Sequence, residues 1–305
     1  VRVLVTGAAG FIGSHVTRIL VSRGDEVIVL ERPGADKSRI SDVVGRLEYR
    51  ECDLGDTPLL QTTVSQTRPE MCAHMAWYTV HGKYWHAPEN LDCVMNSLVL
   101  VRLLADCGCK RILVAGTCAE YDWSHERLIE GVTPCIPRTL YGASKYALFL
   151  MLEKFCAMRS MPLAWPRYNF IYGPGEHPAR LVPTIVRKLL SGKDVPLTHG
   201  LQKRDFLYVE DVASATVAVL KSSVCGPVNI GSGQPVAIRE VAETISRIIG
   251  GSGRLLFGAV PVSADEPDAL MPDVGRLNNE VGWQHHLSLA EGIQRTIDSF
   301  RDGKV

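Results

Sequence analysis

The chain has 305 residues, with 33 lysines and arginines against 33 aspartates and glutamates. A formal charge of zero supplies no long-range field for a polyanion, so nucleic acid is not expected as a partner. Hydrophobic residues at 46% and charged residues at 22% fit a globular protein, and no apolar run nears the roughly 20 residues that cross a bilayer, so no membrane partner is expected either.

The first strand is read at Val3 to Val5; residues 1–5 are too short for a signal-peptide core and run straight into glycines. Nine cysteines, an odd number without a C-x-x-C pair, are expected to be reduced core thiols in a cytoplasmic protein. Further apolar runs that suit buried parallel strands follow at Val27 to Leu30, Met71 to Met75, Ile112 to Ala115 and Leu163 to Trp165. Between them lie helical segments, among them Ile12 to Ser22, Asn96 to Cys107 and Tyr141 to Met158. This alternation predicts an α/β protein with a Rossmann-type doubly wound parallel sheet. The last of these helices is apolar around most of its circumference, which calls for a neighbour on two sides: either a long loop lies over it or, as expected here, a second subunit makes a homodimer through a helix bundle.

After about residue 165 the alternation weakens. Residues 1–165, with about 204–230 returning to them, are expected to form the dinucleotide-binding domain. A smaller C-terminal substrate-binding domain is expected from about 166–203 and 231–305, with substrate in the crevice between the two.

Thr6-Gly7-Ala8-Ala9-Gly10-Phe11-Ile12-Gly13 follows the first strand directly and opens a helix. Glycines there permit a tight turn and bring backbone close to a pyrophosphate, whose charge faces the helix N-terminus. Glu31 ends the second strand 18 residues after Gly13, where a ribose hydroxyl needs an acceptor. Tyr141-Gly142-Ala143-Ser144-Lys145 puts a phenol and an ammonium on one helix face. The ammonium favours a phenolate that is otherwise scarce at neutral pH.

The spacing G-x-x-G-x-x-G resembles the extended short-chain dehydrogenases/reductases, the NAD-dependent epimerase/dehydratase family of nucleotide-sugar epimerases, dehydratases and 4-ketoreductases. The resemblance implies cofactor contacts at Gly7, Gly10, Phe11, Ile12, Gly13, Glu31, Asp53, Leu54, Ala76, Asn96, Tyr141 and Lys145. It implies Thr117, Tyr141 and Lys145 as the catalytic triad. Glu31 favours NAD, whereas Arg32 resembles the arginine that holds the extra phosphate of NADP; the expected cofactor is NAD or NADP, leaning to NAD.

Arg204-Asp205-Phe206-Leu207-Tyr208-Val209-Glu210-Asp211-Val212 closely resembles the R-D-F-x-x-V-x-D-V signature of the nucleotide-sugar enzymes, in which the arginine holds the diphosphate. A nucleoside-diphosphate sugar is therefore the expected substrate, with Arg204, Trp77, Cys118, Phe170, His177 and Arg180 as candidate contacts. Trp77 opens the aromatic run 77–86, which either lines an apolar flank of the sugar or packs as a loop over the cofactor. His177 is either a loop residue or a second acid/base, and Cys118 either packs or reacts. No histidine is accompanied at metal-ligand spacing, so no metal is expected.

Two departures from the family pattern bear on the reaction. Cys118 and Ala119 replace the acid and base of the 4,6-dehydratases, which argues against removal of water. Phe170 replaces a substrate-contacting asparagine, and Asn169, one position early, is expected to face elsewhere. Glu120-Tyr121 resembles 4-keto-6-deoxyhexose reductases. The sequence thus points to a 4-ketoreductase acting on a nucleotide-activated deoxyhexose, with a 4-epimerase that keeps its NAD as the alternative and a non-catalytic cofactor sensor as a remote one.

Overall fold

The computed structural model describes residues 1–303. The first half runs β1 (Arg2–Thr6), α1 (Phe11–Ser22), β2 (Glu26–Glu31), β3 (Glu48–Glu51), α2 (Thr57–Thr67), β4 (Met71–His74), α3 (Glu89–Asp106), β5 (Arg111–Val114), β6 (Gly116–Thr117), β7 (Arg127–Leu128), α4 (Leu140–Met158) and β8 (Leu163–Tyr168). The second half runs β9 (Phe170–Tyr172), α5 (Leu181–Leu190), β10 (Val195–Leu197), β11 (Lys203–Arg204), β12 (Phe206–Tyr208), α6 (Val209–Lys221), β13 (Gly226–Ile230), β14 (Val236–Ala237), α7 (Ile238–Ile249), β15 (Leu255–Phe257), β16 (Ala269–Pro272), α8 (Gly275–Asn279) and α9 (Leu289–Arg301).

The main sheet is parallel, in the order β3-β2-β1-β4-β5-β8-β13, with β6 pairing β8 as its eighth strand. Strand order reverses between β1 and β4, the position at which a doubly wound sheet opens its ligand crevice. The alternation within β1 shows how the layers form. Val3 and Val5 join the core under α1 and α6, whereas Leu4 joins the core under α2, α3 and α4. A third core, with Ile185, Val241, Ile245, Ile293 and Ile297, holds α5, α7 and α9 together in the C-terminal half.

The predicted strands lie where expected to within a residue or two, except that Leu163 to Trp165 extends to Tyr168 and the polar edge strand β3 carries no apolar run to announce it. The helix read at Asn96 to Cys107 begins seven residues earlier, at Glu89, because Pro88 provides its N-terminal boundary and Asn90 is buried in its first turn. After the chain has crossed to the C-terminal half, α6 returns to pack beside α1 and β13 pairs with β8.

Candidate active site

The turn between β1 and α1 is built by crowding. Gly7 has φ +71°, and a Cβ there would lie 2.7 Å from the Ala76 nitrogen; a Cβ on Gly13 would lie 2.0 Å from the Gly7 carbonyl oxygen. No side chain caps the helix at Gly10 and no acidic residue sits in its first turn. The N–H groups that open α1, from Phe11, Ile12 and Gly13, are therefore left for an anion. Glu31, at the end of β2, accepts from the Ala9 N–H at 2.8 Å; burial raises its carboxyl above the ordinary range while that bond opposes the rise. Asp53 accepts from the Gly55 N–H at 2.8 Å, and the Asn96 amide of α3 lies against the same turn. Arg32 is exposed. These groups fit a dinucleotide: an adenosine at Glu31 and Asp53-Leu54, and a pyrophosphate over Gly10 to Gly13.

Behind the turn, His74 bonds Thr6 Oγ1 at 2.7 Å through Nδ1 and Ser97 Oγ at 2.8 Å through Nε2. Burial lowers its pKa to about 3, with the Lys145 charge contributing, so it is a neutral joint between β1 and α3. Thr6 Oγ1 also accepts from the Ala76 N–H at 3.2 Å.

Thr117, extended at the end of β6, and Tyr141, in the first turn of α4, come together from 24 residues apart. Thr139 caps α4 by accepting from the Gly142 N–H, which starts the helix just before the tyrosine. The Thr117 hydroxyl faces the Tyr141 phenol, and burial pushes that phenol well above its usual range, with the threonine opposing the rise. One turn on, the buried Lys145 ammonium donates to the Ala115 carbonyl at 2.7 Å. Desolvation lowers its pKa to about 7, partly offset by Glu120 and Cys93. Cys118 lies beside Thr117 and burial pushes its thiol up to about 12, which makes it a packing group at neutral pH.

The sequence left Trp77 between lining the sugar and packing over the cofactor; in the structure its ring lies under the Lys145 ammonium, 3.5 Å from nitrogen to centroid. Tyr84 and Trp85 set their rings edge-on to Tyr141, at 5.0 Å and 5.8 Å. The Tyr84 hydroxyl is partnered by Arg180, while His177 stacks on His81 at 4.6 Å. Beside them Glu176 is buried with Oε2 unpartnered, and burial raises its pKa to about 8. Neither Tyr84 nor Glu176 was singled out in the sequence, because nothing in the spacing of 84, 141, 176 and 180 announces their proximity.

Arg204 is buried over the Phe170 ring, 5.4 Å from centroid to guanidinium carbon. It donates to the Pro267 carbonyl at 2.8 Å and pairs with the Glu266 carboxylate. Glu266 in turn lines a cleft of about 290 Å³ with Leu181, Leu197, Gln202, Ile238 and Val260, a space that adjoins the arginine and was not legible beforehand. The two aspartates of the same motif are scaffold: Asp205 accepts from the Ser232 and Gly233 N–H groups, each at 2.7 Å, and Asp211 holds His286. The Asn169 amide donates to the Ile230 carbonyl at 3.2 Å.

Glu120 is fully buried, with Arg167 Nε at 2.7 Å, Trp165 Nε1 at 2.9 Å and the Thr117 N–H at 2.8 Å. The Tyr121 hydroxyl donates to Asn229 at 3.0 Å. The Glu120 and Tyr121 side chains are thus both bound into the scaffold. On the far side of the cofactor turn, Arg39 donates to the Gly175 carbonyl at 2.9 Å, bridging the two halves of the molecule next to Phe11. Arg18 steadies that bridge by bonding the Arg39 carbonyl and Asp42.

Glycine turn, acidic strand end and buried phenol converge on the carboxyl edge of one parallel sheet, the arrangement of a dinucleotide-dependent oxidoreductase of the doubly wound class. The chain belongs to the NAD dependent epimerase/dehydratase family, whose model matches residues 3–231. Members of that family are NAD-dependent enzymes acting on sugar nucleotides. UDP-glucuronic acid decarboxylase 1 of Xenopus tropicalis is 27% identical over 98% of this chain and 72% of its own length. Among solved structures, the UDP-glucose 4-epimerase of Thermotoga maritima with UDP-glucose superposes with a TM-score of 0.86 at 25% identity, covering 100% of both chains. The Thermus thermophilus UDP-glucose 4-epimerase complex with NAD gives 0.83 at 27% identity over 99% of both. Among the described residues no helix is long and apolar enough to cross a membrane.

Proposed function

We propose that this chain is a nucleoside-diphosphate hexose 4-epimerase that works with retained NAD. The carrying observation is the Thr117–Tyr141 contact with Lys145 one turn on, set between the glycine turn and Arg204. NAD, held at the glycine turn and Glu31, would supply the hydride acceptor and donor for the sugar carbon. Tyr141 takes the proton of the sugar hydroxyl and gives it back, Thr117 shares that proton through its hydroxyl, and the Lys145 charge favours the phenolate. Arg204 exchanges Glu266 for the diphosphate, a group its planar fork suits, and the adjoining cleft receives the nucleoside. Glu31 favours NAD over NADP because its carboxylate repels a 2′-phosphate.

Retention is supported by the Arg39–Gly175 bridge, which closes the molecule alongside the cofactor turn, and by the likeness to two 4-epimerases. The 4-ketoreductase expected from the sequence uses the same triad and differs in releasing its cofactor each turnover. The test mixes purified protein with NADH or NADPH and a nucleoside-diphosphate 4-keto-6-deoxyhexose, then with ordinary nucleotide hexoses. A C4 stereoisomer of the hexose without net change in nicotinamide absorbance is expected; stoichiometric loss of reduced cofactor assigns a ketoreductase instead.

The same reading includes a homodimer. Leu91 and Met95 on α3, and Leu150, Met151 and Met158 on α4, are exposed apolar side chains on two helices that pack side by side. Light scattering at micromolar concentration should return twice the chain mass, and a monomer mass refutes the pairing.

A further inference from the structure

A buried ammonium normally requires an anionic partner, and among the described residues none forms an ion pair with Lys145. The groups that face it can be named from each neighbouring element. Glu120 is committed to Arg167. Cys93 of α3 is a thiol that burial holds protonated. His74 of β4 is neutral and bonded at both nitrogens. Of the chain's own groups, what remains is the Ala115 carbonyl and the face of Trp77, 3.5 Å from the nitrogen.

That indole is held on its own account. Its Nε1 donates to Asn90 Oδ1 at 2.8 Å, and the buried Asn90 amide is fixed by donating to the Tyr84 and Ala87 carbonyls at 2.7 and 2.8 Å. The ring meets Tyr141 at an interplanar angle of 74° and 6.4 Å between centroids, so the two aromatic groups that flank the catalytic helix turn are in register with each other. One face of the indole is taken by the lysine, which is a different task from lining a sugar.

We propose that Trp77 is a positioning residue for the proton transfer: its π face seats the Lys145 ammonium, and Asn90 fixes the indole. An aromatic face attracts a desolvated cation through its quadrupole and so supplies the stabilisation that no carboxylate provides here. The inference rests on the catalytic reading of Lys145 given above.

The sign follows from the contact. Without the face, the ammonium is less stable and titrates at lower pH, and the phenol that depends on its charge titrates higher. The plateau of kcat against pH in the Trp77→Leu variant should therefore narrow from both ends, by about one pH unit on the alkaline side. At neutral pH kcat should fall about tenfold, with KM for the sugar nucleotide within about twofold, and Trp77→Phe, which keeps a π face, should recover most of the loss. A readout independent of turnover is the intrinsic fluorescence of the protein against pH. The Trp77 contribution, taken as the parent signal minus that of Trp77→Phe, is expected to change with pH in the parent and to lose that change in a Lys145→Met background. An unchanged pH profile with a raised KM in Trp77→Leu, or a Trp77 contribution whose change with pH persists in Lys145→Met, overturns the proposal. Full turnover by Lys145→Met would instead defeat the catalytic reading and leave the fluorescence result standing.

Discussion

Replacing Tyr141 by phenylalanine should lower kcat by about 10²- to 10⁴-fold, the range over which positioned acid–base groups contribute. The substitution removes one oxygen from a ring whose edge contacts with Trp77, Tyr84 and Trp85 stay in place, so the fold should be unaffected. Binding of the nucleotide sugar should be nearly unchanged, because Arg204 and the cleft beside Glu266 lie on other elements, β11 and the segment before β16. Thr117→Ala should show a smaller loss of the same kind, since the threonine shares the proton without being its final holder. Steady-state kinetics together with calorimetric binding separate the two parameters. A Tyr141→Phe protein with more than a tenth of the parent kcat would remove the phenol from the reaction while leaving the fold assignment intact.

The second large effect concerns stability. Truncating Glu120 to alanine leaves the Arg167 guanidinium buried without a counter-charge, and removing one partner of such a pair typically costs about 3–5 kcal/mol. In a chain of this size the midpoint of thermal unfolding should drop by roughly 5–8 °C. The same carboxylate holds Trp165 and the Thr117 N–H, so residual activity in the folded fraction should fall as well. Replacing both partners, Glu120→Met with Arg167→Met, should recover part of the lost stability, because the unpaired buried cation is gone while Trp165 Nε1 and the Thr117 N–H still lack their acceptor. Differential scanning calorimetry on the single and double variants decides the matter. A loss below about 1 kcal/mol in Glu120→Ala would show that the pair is not what holds this region together.

How much of this was legible in the sequence depended on whether local pattern or distant pairing carried the information. The glycine turn, Glu31, and the Tyr141–Lys145 pair were readable because each is a local spacing attached to a strand end or a helix face. The parallel sheet was readable because buried strands write themselves as short apolar runs, and β3 was missed because an edge strand of Glu, Tyr, Arg and Glu writes nothing. The buried role of Glu120 was not legible, its pairing with Tyr121 being read only as a likeness to reductases. Its three partners lie at positions 117, 165 and 167, and no periodicity distinguishes a buried ion pair from a residue facing substrate. The cleft beside Arg204 was invisible for the same reason. Its walls come from α5, β10, α7 and the segment before β16, and the strands involved are too short to leave a pattern.

The bridge from Arg39 to Gly175 bears on how such a protein would sit in metabolism. On the reading proposed above, a dinucleotide retained beneath it would let each molecule carry its own oxidant from one turnover to the next. Flux through the site would then follow the supply of sugar nucleotide alone, insulated from swings in the cell's ratio of oxidised to reduced nicotinamide.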